Sequence, residues 1–331
     1  MKRRSFLSRF LPKDDENSSA GGNTDTCIRV SREAMASDFQ IFLNAGEYEH
    51  GVEAALAALD EVTRLEKMLS FFDSESEISR INRLAARNFV EIEPEVYDLL
   101  KKCDKMYHES AGAYDITATP LWEVWGFAKR KATFPEESVL RKTLACVGGD
   151  GILWDDENRS LKFSRDGMKI SLGSVGKGFA LDAAVRVLDE AGIANFLFHG
   201  GLSSVFARGA RRGRKDWLVG LHHPLQADTR IMEIPLTGRA LGTSGSATQF
   251  FWWQGKRFGH ILDPRSGMPT ENVLSVTVLT DEAADADALA TAMYVMGVEK
   301  TEAYCREHPE LEVIFVLPGD GGKLEIKKIG E

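Results

Sequence analysis

The stretch from Phe258 to Gly297 constrains the fold of this chain more than any other. Phe258-Gly-His-Ile-Leu-Asp-Pro-Arg-Ser-Gly267 reads as a strand end that breaks at Asp263-Pro264 and turns at Ser266-Gly267. Leu274-Ser-Val-Thr-Val-Leu279 alternates and is rich in β-branched residues, which predicts a strand. Ala284, Ala288, Thr291 and Ala292 then fall at helical spacing, and the pattern runs through Met293 and Met296 to a stop at Gly297. Asp287 and Thr291 are four apart and share one helix face. A carboxylate beside a hydroxyl is a hard oxygen pair that suits Mg²⁺, above all when substrate phosphates complete the shell. The plainer reading of such a pair is a solvated helix face. His260, just before the Asp-Pro turn, stands where a turn would hold it at a cleft rim, and its plainer reading is structural.

A length of 331 residues allows about two domains or one large one. With 43% hydrophobic and 27% charged residues, the chain is an ordinary globular protein with a sizeable core. The net charge of −9 argues against nucleic acid as a partner, because that binding rests on a basic footprint. Cys27, Cys103, Cys146 and Cys305 show no C-x-x-C spacing, so neither a zinc site nor a disulfide framework is expected. No apolar run reaches the length of a membrane span. Met1-Lys-Arg-Arg-Ser-Phe-Leu7 looks like a twin-arginine signal start, but Pro12-Lys-Asp-Asp-Glu-Asn17 follows where an apolar h-region belongs. Residues 1–26 are therefore expected to form a disordered tail on a cytoplasmic protein, an export signal being the alternative, and 27–331 a single domain.

Along that domain, strand-like positions flank Met35-Ala-Ser-Asp38. Val52, Leu56, Leu59, Val62, Leu65 and Leu69 predict an amphipathic helix. Ser74-Glu-Ser-Glu77 predicts a capping box opening a short helix, and Pro94 marks the first turn of the next. Trp122, Trp125 and Phe127, close to Gly126, read as core or as the lining of a pocket for a flat ring. A helix over Pro135–Cys146 is expected to lead into strands at 152–154, 161–163 and 168–172. Gly173-Ser-Val-Gly-Lys-Gly178 opens a helix, but matches neither a Walker loop nor G-x-G-x-x-G. Its glycines let backbone N–H groups approach an anion, or serve close packing alone. Strands are expected at 195–199, 202–207, 217–221, 231–236, 250–253, 311–317 and 324–329.

Taken in order, Met35-Ala-Ser, Ser74–Asn82, Gly112–Leu121 with Trp125-Gly-Phe, Leu172–Asp182, Gly200-Gly201, Thr243-Ser-Gly245, His260–Gly267 and Ala286–Thr291 resemble the ApbE-type FAD:protein FMN transferases. The resemblance implies an α+β fold of mixed, mainly antiparallel sheets with packed helices, related to T-folds. It implies FAD as substrate, Mg²⁺, and transfer of FMN to a Thr or Ser hydroxyl of a protein acceptor, such as a redox-complex subunit, with release of AMP. By motif match, Ser174, Asp287 and Thr291 take the metal positions, and Met35, Phe72, Ala113, Tyr114, Asp115, Ser171, Lys177 and Ile261 the flavin-contacting ones. His260 takes the acceptor proton, and with Asp287 is the catalytic expectation. The chain departs from the family in carrying Ser171 where Asp is usual, and Leu202 where an acidic residue usually follows Gly200-Gly201. A Mg²⁺-dependent FAD pyrophosphatase and a non-catalytic FAD-binding protein are the alternatives.

Overall fold

The first long helix buries an alanine-rich face. In α1 (Gly51–Leu69), Ala54, Ala55, Ala58, Leu59, Val62, Leu65 and Leu69 are buried. Val52 and Leu56, expected on that stripe, are exposed. Small side chains on the buried face let α1 lie close against a second helix, α6, described below. The structure is a computed structural model describing residues 26–246 and 249–330, so the expectation of a disordered tail lies outside the described residues except at Thr26.

In chain order, β1 (Cys27–Ala34) and β2 (Ser37–Asn44) precede α1. After it come α2 (Glu77–Leu84), β3 (Val90–Glu91), α3 (Pro94–Glu109), α4 (Thr119–Val124), α5 (Glu137–Leu144), β4 (Ile152–Asp155) and β5 (Ser160–Phe163). The next elements are α6 (Gly176–Glu190), β6 (Phe196–Gly200), β7 (Ser204–Arg208), β8 (Trp217–His223), β9 (Gln226–Leu236) and β10 (Arg239–Gly245). The chain continues through β11 (Phe250–Trp253), β12 (Lys256–Gly259), β13 (Ser275–Thr280), α7 (Ala283–Glu307), β14 (Glu312–Pro318) and β15 (Leu324–Ile329). Gly297, with φ 75°, breaks α7 where the sequence predicts a helix stop.

An eight-stranded sheet in the order β1-β2-β6-β7-β10-β13-β14-β15 is the platform. All its neighbours are antiparallel. One face carries α6 and α7, and Val276 and Val278 of β13 point into that core. The other face is covered by the β8–β9 hairpin, and Leu241, Leu279 and Trp217 meet there. A third, smaller cluster joins Leu121, Trp125, Phe127, Val147 and Leu262. Trp125 is fully buried, so of its two readings core is the one observed.

Four expectations need correction. The N-cap of α2 is Ser76, whose side chain accepts from Ser79 N–H, and not Ser74. Residues 168–172 form no strand ladder. Their edge is held by the Asn82 side chain, which exchanges two hydrogen bonds with Ile170, and by Ser171 N–H donating to Ile116 O at 3.1 Å. The short β3, paired with β5, was not expected. Nor was β10, which lies inside the large sheet. Its helix-facing residues, Ala240, Gly242 and Ser244, are small where α7 crosses it closely. A Cβ on Gly242 would lie 2.4 Å from the Ala286 backbone.

That crossing makes a differential prediction. Gly242→Ala should destabilise the protein by about 1–3 kcal/mol through overpacking. Gly173→Ala, where a Cβ meets nothing within 4 Å, should cost less than about 0.5 kcal/mol. Denaturant midpoints measure both, and equal shifts would contradict the close crossing.

Candidate active site

The N-termini of α6 and α7 meet at one point. A Cβ on Gly178 would lie 2.1 Å from Ala283 O, so only glycine permits the approach. Two carboxylates hold the junction. Asp182 of α6 accepts from the N–H groups of Ala283 and Ala284, each at 2.8 Å, and so caps α7. Asp287 of α7 reaches back to accept from Gly178 N–H at 2.8 Å. The Ser204 hydroxyl of β7 lies 2.7 and 2.8 Å from its two oxygens.

Asp287 is therefore buried, at 6% exposure, and the solvated-face reading is excluded. Burial pushes its carboxyl up, while Lys177, Ser204 and Gly178 N–H pull it down. Thr291 is on the same face, as expected. Its hydroxyl donates back to Asp287 O at 3.2 Å and pairs with Ser244 of β10 at 2.9 Å. Ser174, in the turn before α6, donates to the Tyr114 hydroxyl at 3.2 Å, which also meets Cys103 Sγ at 3.6 Å. Tyr114 and Ala113 are buried, so Tyr114 supports Ser174 from below rather than facing solvent.

These donors suit a small hard cation. Two protein donors share the Asp287 carboxylate, which offers about four lone-pair sites, so oxygen capacity remains. Thr291 and Ser174 add neutral oxygens, and no cluster of three His, Cys, Asp or Glu exists among the described residues. With one carboxylate the set fits Mg²⁺, which retains waters and recruits phosphate oxygens, better than a zinc site.

His260 follows β12 directly, where the chain has left the ladder. Its Nδ1 lies 3.2 Å from Gln249 O. A carbonyl only accepts, so Nδ1 carries the proton in the neutral ring and Nε2 is the basic atom. Burial lowers the imidazole pKa below its ordinary value, the Gln249 bond opposes this, and Lys177 adds to the lowering. Lys177 thus acts on both Asp287 and His260. The Asp263 turn is as expected, with Gly267 N–H donating to Asp263 O at 2.7 Å. Trp125 Nε1 fastens that turn by donating to Gly267 O at 2.8 Å.

The remaining expected flavin positions lie on separate elements. Met35 and Ala36 form the two-residue tip of the β1–β2 hairpin, with φ 49° and 54°. Both central residues are left-handed without glycine or asparagine, a strained arrangement. Met35 N–H is held by Glu66 Oε1 at 2.5 Å. Phe72 is 73% exposed beside Trp122, presenting an aromatic face to solvent. Asp115 accepts from the Thr117 N–H and hydroxyl, and burial pushes its carboxyl up to about 6. Ser171 is half-buried, and Ile261 is buried at 9% exposure. Ser204, Ser244, Gln249, Glu66 and Asn82 are positioning residues that sequence reasoning missed. Most act across long separations that no local pattern reports, although Asn82 closes a motif that the sequence did single out.

The ApbE family profile matches residues 33–315. A Klebsiella pneumoniae protein named FAD:protein FMN transferase is 30% identical over 81% of this chain and 84% of its own. A Haemophilus influenzae protein of the same name is 27% identical over 89% and 88%. The crystal structure of the ApbE protein from Thermotoga maritima is 30% identical, with a TM-score of 0.80 over 91% of this chain and 96% of that one. The flavin transferase ApbE from Vibrio cholerae, at 24% identity and a TM-score of 0.80, shares the fold.

The α6–α7 junction predicts a pH dependence of stability. Burial pushes Asp182 up to about 7 from the ordinary 3.8, against the two N–H bonds. The unfolded chain loses that proton near 4 and the folded chain near 7, so between these values the folded state binds more protons. Stability should fall as pH rises through that window. Asp182→Asn should flatten the slope. Thermal midpoints across pH 4 to 7 check this, and an unchanged slope in the variant contradicts it.

Proposed function

We propose that this chain, which belongs to the ApbE family, is an FAD:protein FMN transferase that moves FMN from FAD to a Thr or Ser hydroxyl and releases AMP. The observation that carries this reading is the buried Asp287 carboxylate at the α6–α7 junction, within the electrostatic reach of Lys177, which also acts on a neutral His260.

Lys177 and the N-terminus of α6 supply positive potential for the pyrophosphate of FAD. Asp287, Thr291 and Ser174 would hold Mg²⁺, which when bound neutralises pyrophosphate charge. His260 does the proton work. A hydroxyl is a weak nucleophile until a neighbouring base takes its proton. His260 Nε2 accepts that proton, the hydroxyl oxygen bonds to the FMN phosphorus, and the bond to the AMP phosphate oxygen breaks. Gln249 O fixes the tautomer that makes Nε2 the base. Phe72 and the strained Met35 tip offer apolar surface for the flavin ring. Water in place of the acceptor hydroxyl would instead give FMN and AMP. AMP release from FAD with and without an acceptor distinguishes the two reactions, and an FMN adduct on Thr or Ser by mass spectrometry establishes transfer.

Because the His260 pKa is lowered, the imidazole stays neutral to a pH below its ordinary 6.5. The acid limb of the transfer rate should therefore have its midpoint below 6.5, and a midpoint at or above 6.5 counts against His260 as the base. His260→Ala should slow transfer by about 10²–10⁴-fold while FAD still binds.

The metal set makes a separate prediction, read by binding alone. A site with one carboxylate is weak until phosphates join it, so Mg²⁺ and FAD should tighten one another reciprocally. Asp287→Asn should remove that coupling in calorimetric titrations of FAD with and without Mg²⁺. Equal tightening in both proteins would separate Asp287 from the metal.

A further inference from the structure

The face of the large sheet opposite α6 and α7 opens into a cleft of about 960 Å³. The β8–β9 hairpin forms one wall, and Phe250 and Phe251 of β11 form another. Ser174, Lys177, Asp287 and Thr291 do not line it. Its link to the chemistry is His260. Gln249, whose carbonyl holds the imidazole, lines the cleft, and so does Phe127, whose ring centroid is 6.3 Å from that of His260.

The charge of the cleft is opposite to that of the chain. The protein has 50 acidic residues and a net charge of −9, yet no Asp or Glu lines the cleft among the described residues. Arg130 and Lys131 do line it. Both are exposed, and no ion pair engages either among the described residues. They are presented by a loop that closes on itself. Lys129 and Lys131 N–H both donate to Gly126 O, at 3.3 and 3.0 Å, and Arg130 N–H donates to Phe127 O at 3.1 Å. A Cβ on Gly126 would lie 2.4 Å from Lys131 O, and Arg130 itself is held at φ 53°. The cations are thus displayed at the cleft rim by a hydrogen-bonded loop with a left-handed, non-glycine residue, Arg130. The β8–β9 and β11–β12 pairs are separate two-stranded sheets, so among the described residues both keep unpaired edges that an extended chain can join.

We infer that this cleft docks an acidic, extended segment of the acceptor protein, with Arg130 and Lys131 meeting its carboxylates and its Thr or Ser hydroxyl brought to His260. The inference rests on the transfer reading. FAD is also anionic, but Lys177 and the Asp287 oxygen set, which suit its pyrophosphate, do not line this cleft. The acceptor therefore approaches His260 from the face opposite the metal set. Charge complementarity of this kind sets partner choice and encounter rate.

The probes are two short synthetic peptides, each with one Thr, flanked by Glu in one and by Lys in the other. Binding to the full chain is read from the fluorescence of Trp252 and Trp253, which are 65% and 42% exposed on β11. The Glu peptide should bind at least about tenfold tighter than the Lys peptide, with a preference that weakens as salt rises. Arg130→Glu with Lys131→Glu should abolish or reverse that preference and leave FAD affinity unchanged. Equal binding of the two peptides by the wild type, or a preference that survives the double substitution, overturns the inference. So does a loss of FAD affinity in the variant, which would put FAD in the cleft. Failure of the transfer reading shows differently, as no release of AMP from FAD and no FMN adduct on any acceptor, whatever the peptides do.

Discussion

The site depends on a carboxylate kept inside the protein. Removing the Asp287 charge from water is costly unless donors replace the lost hydration. Gly178 N–H and the Ser204 hydroxyl do so, and they belong to a different helix and to a strand of the large sheet. One side chain thus ties α6, α7 and β7 together. The tie requires close approach, which explains the small residues where these elements meet. Gly178 lies against Ala283, and Gly242 lies against Ala286. A side chain at Gly178 would push α6 from α7, and one at Gly242 would push α7 off β10.

The central strand β10 separates two environments by its pleat. Ser244 points to the helix side and pairs with Thr291. Thr243 and Gly245 point to the other side and line the cleft. The period of a strand thus gives one short segment a place both in the oxygen-rich cluster around Asp287 and in the aromatic, cationic cleft. A helix in that position could not divide its residues so cleanly between two compartments.

His260 shows how loop geometry sets a tautomer. A backbone carbonyl of the segment before β11 holds its Nδ1, and the Phe127 ring packs edge-on against the imidazole. Pairing of β11 with β12 brings Phe250 opposite Gly259 and so aligns Gln249 with the histidine. The cluster around Trp125 then supports the following Asp263 turn through the bond to Gly267 O. The motifs around Trp125 and His260, far apart in the chain, are two sides of one support.

Much of this was legible in the sequence, because local rules apply where local forces decide. Alternation marked β13, glycine marked the break in α7, Pro94 marked the start of α3, and the Asp263 turn announced itself. The order of the motifs carried the family and pointed to Asp287 and Thr291 as neighbours on one helix face. What the sequence left open was settled by contacts between distant residues. The stripe on α1 shifted because α6 selects alanines. The 168–172 segment gave up a ladder because Asn82 and Ile116 satisfy its backbone. β10 was hidden because its small residues answer to α7 and not to strand propensity. Asp287 reads as a surface residue by type and helix position. Only the tertiary structure, by bringing Gly178 and Ser204 within hydrogen-bond distance, made burial of its charge tolerable.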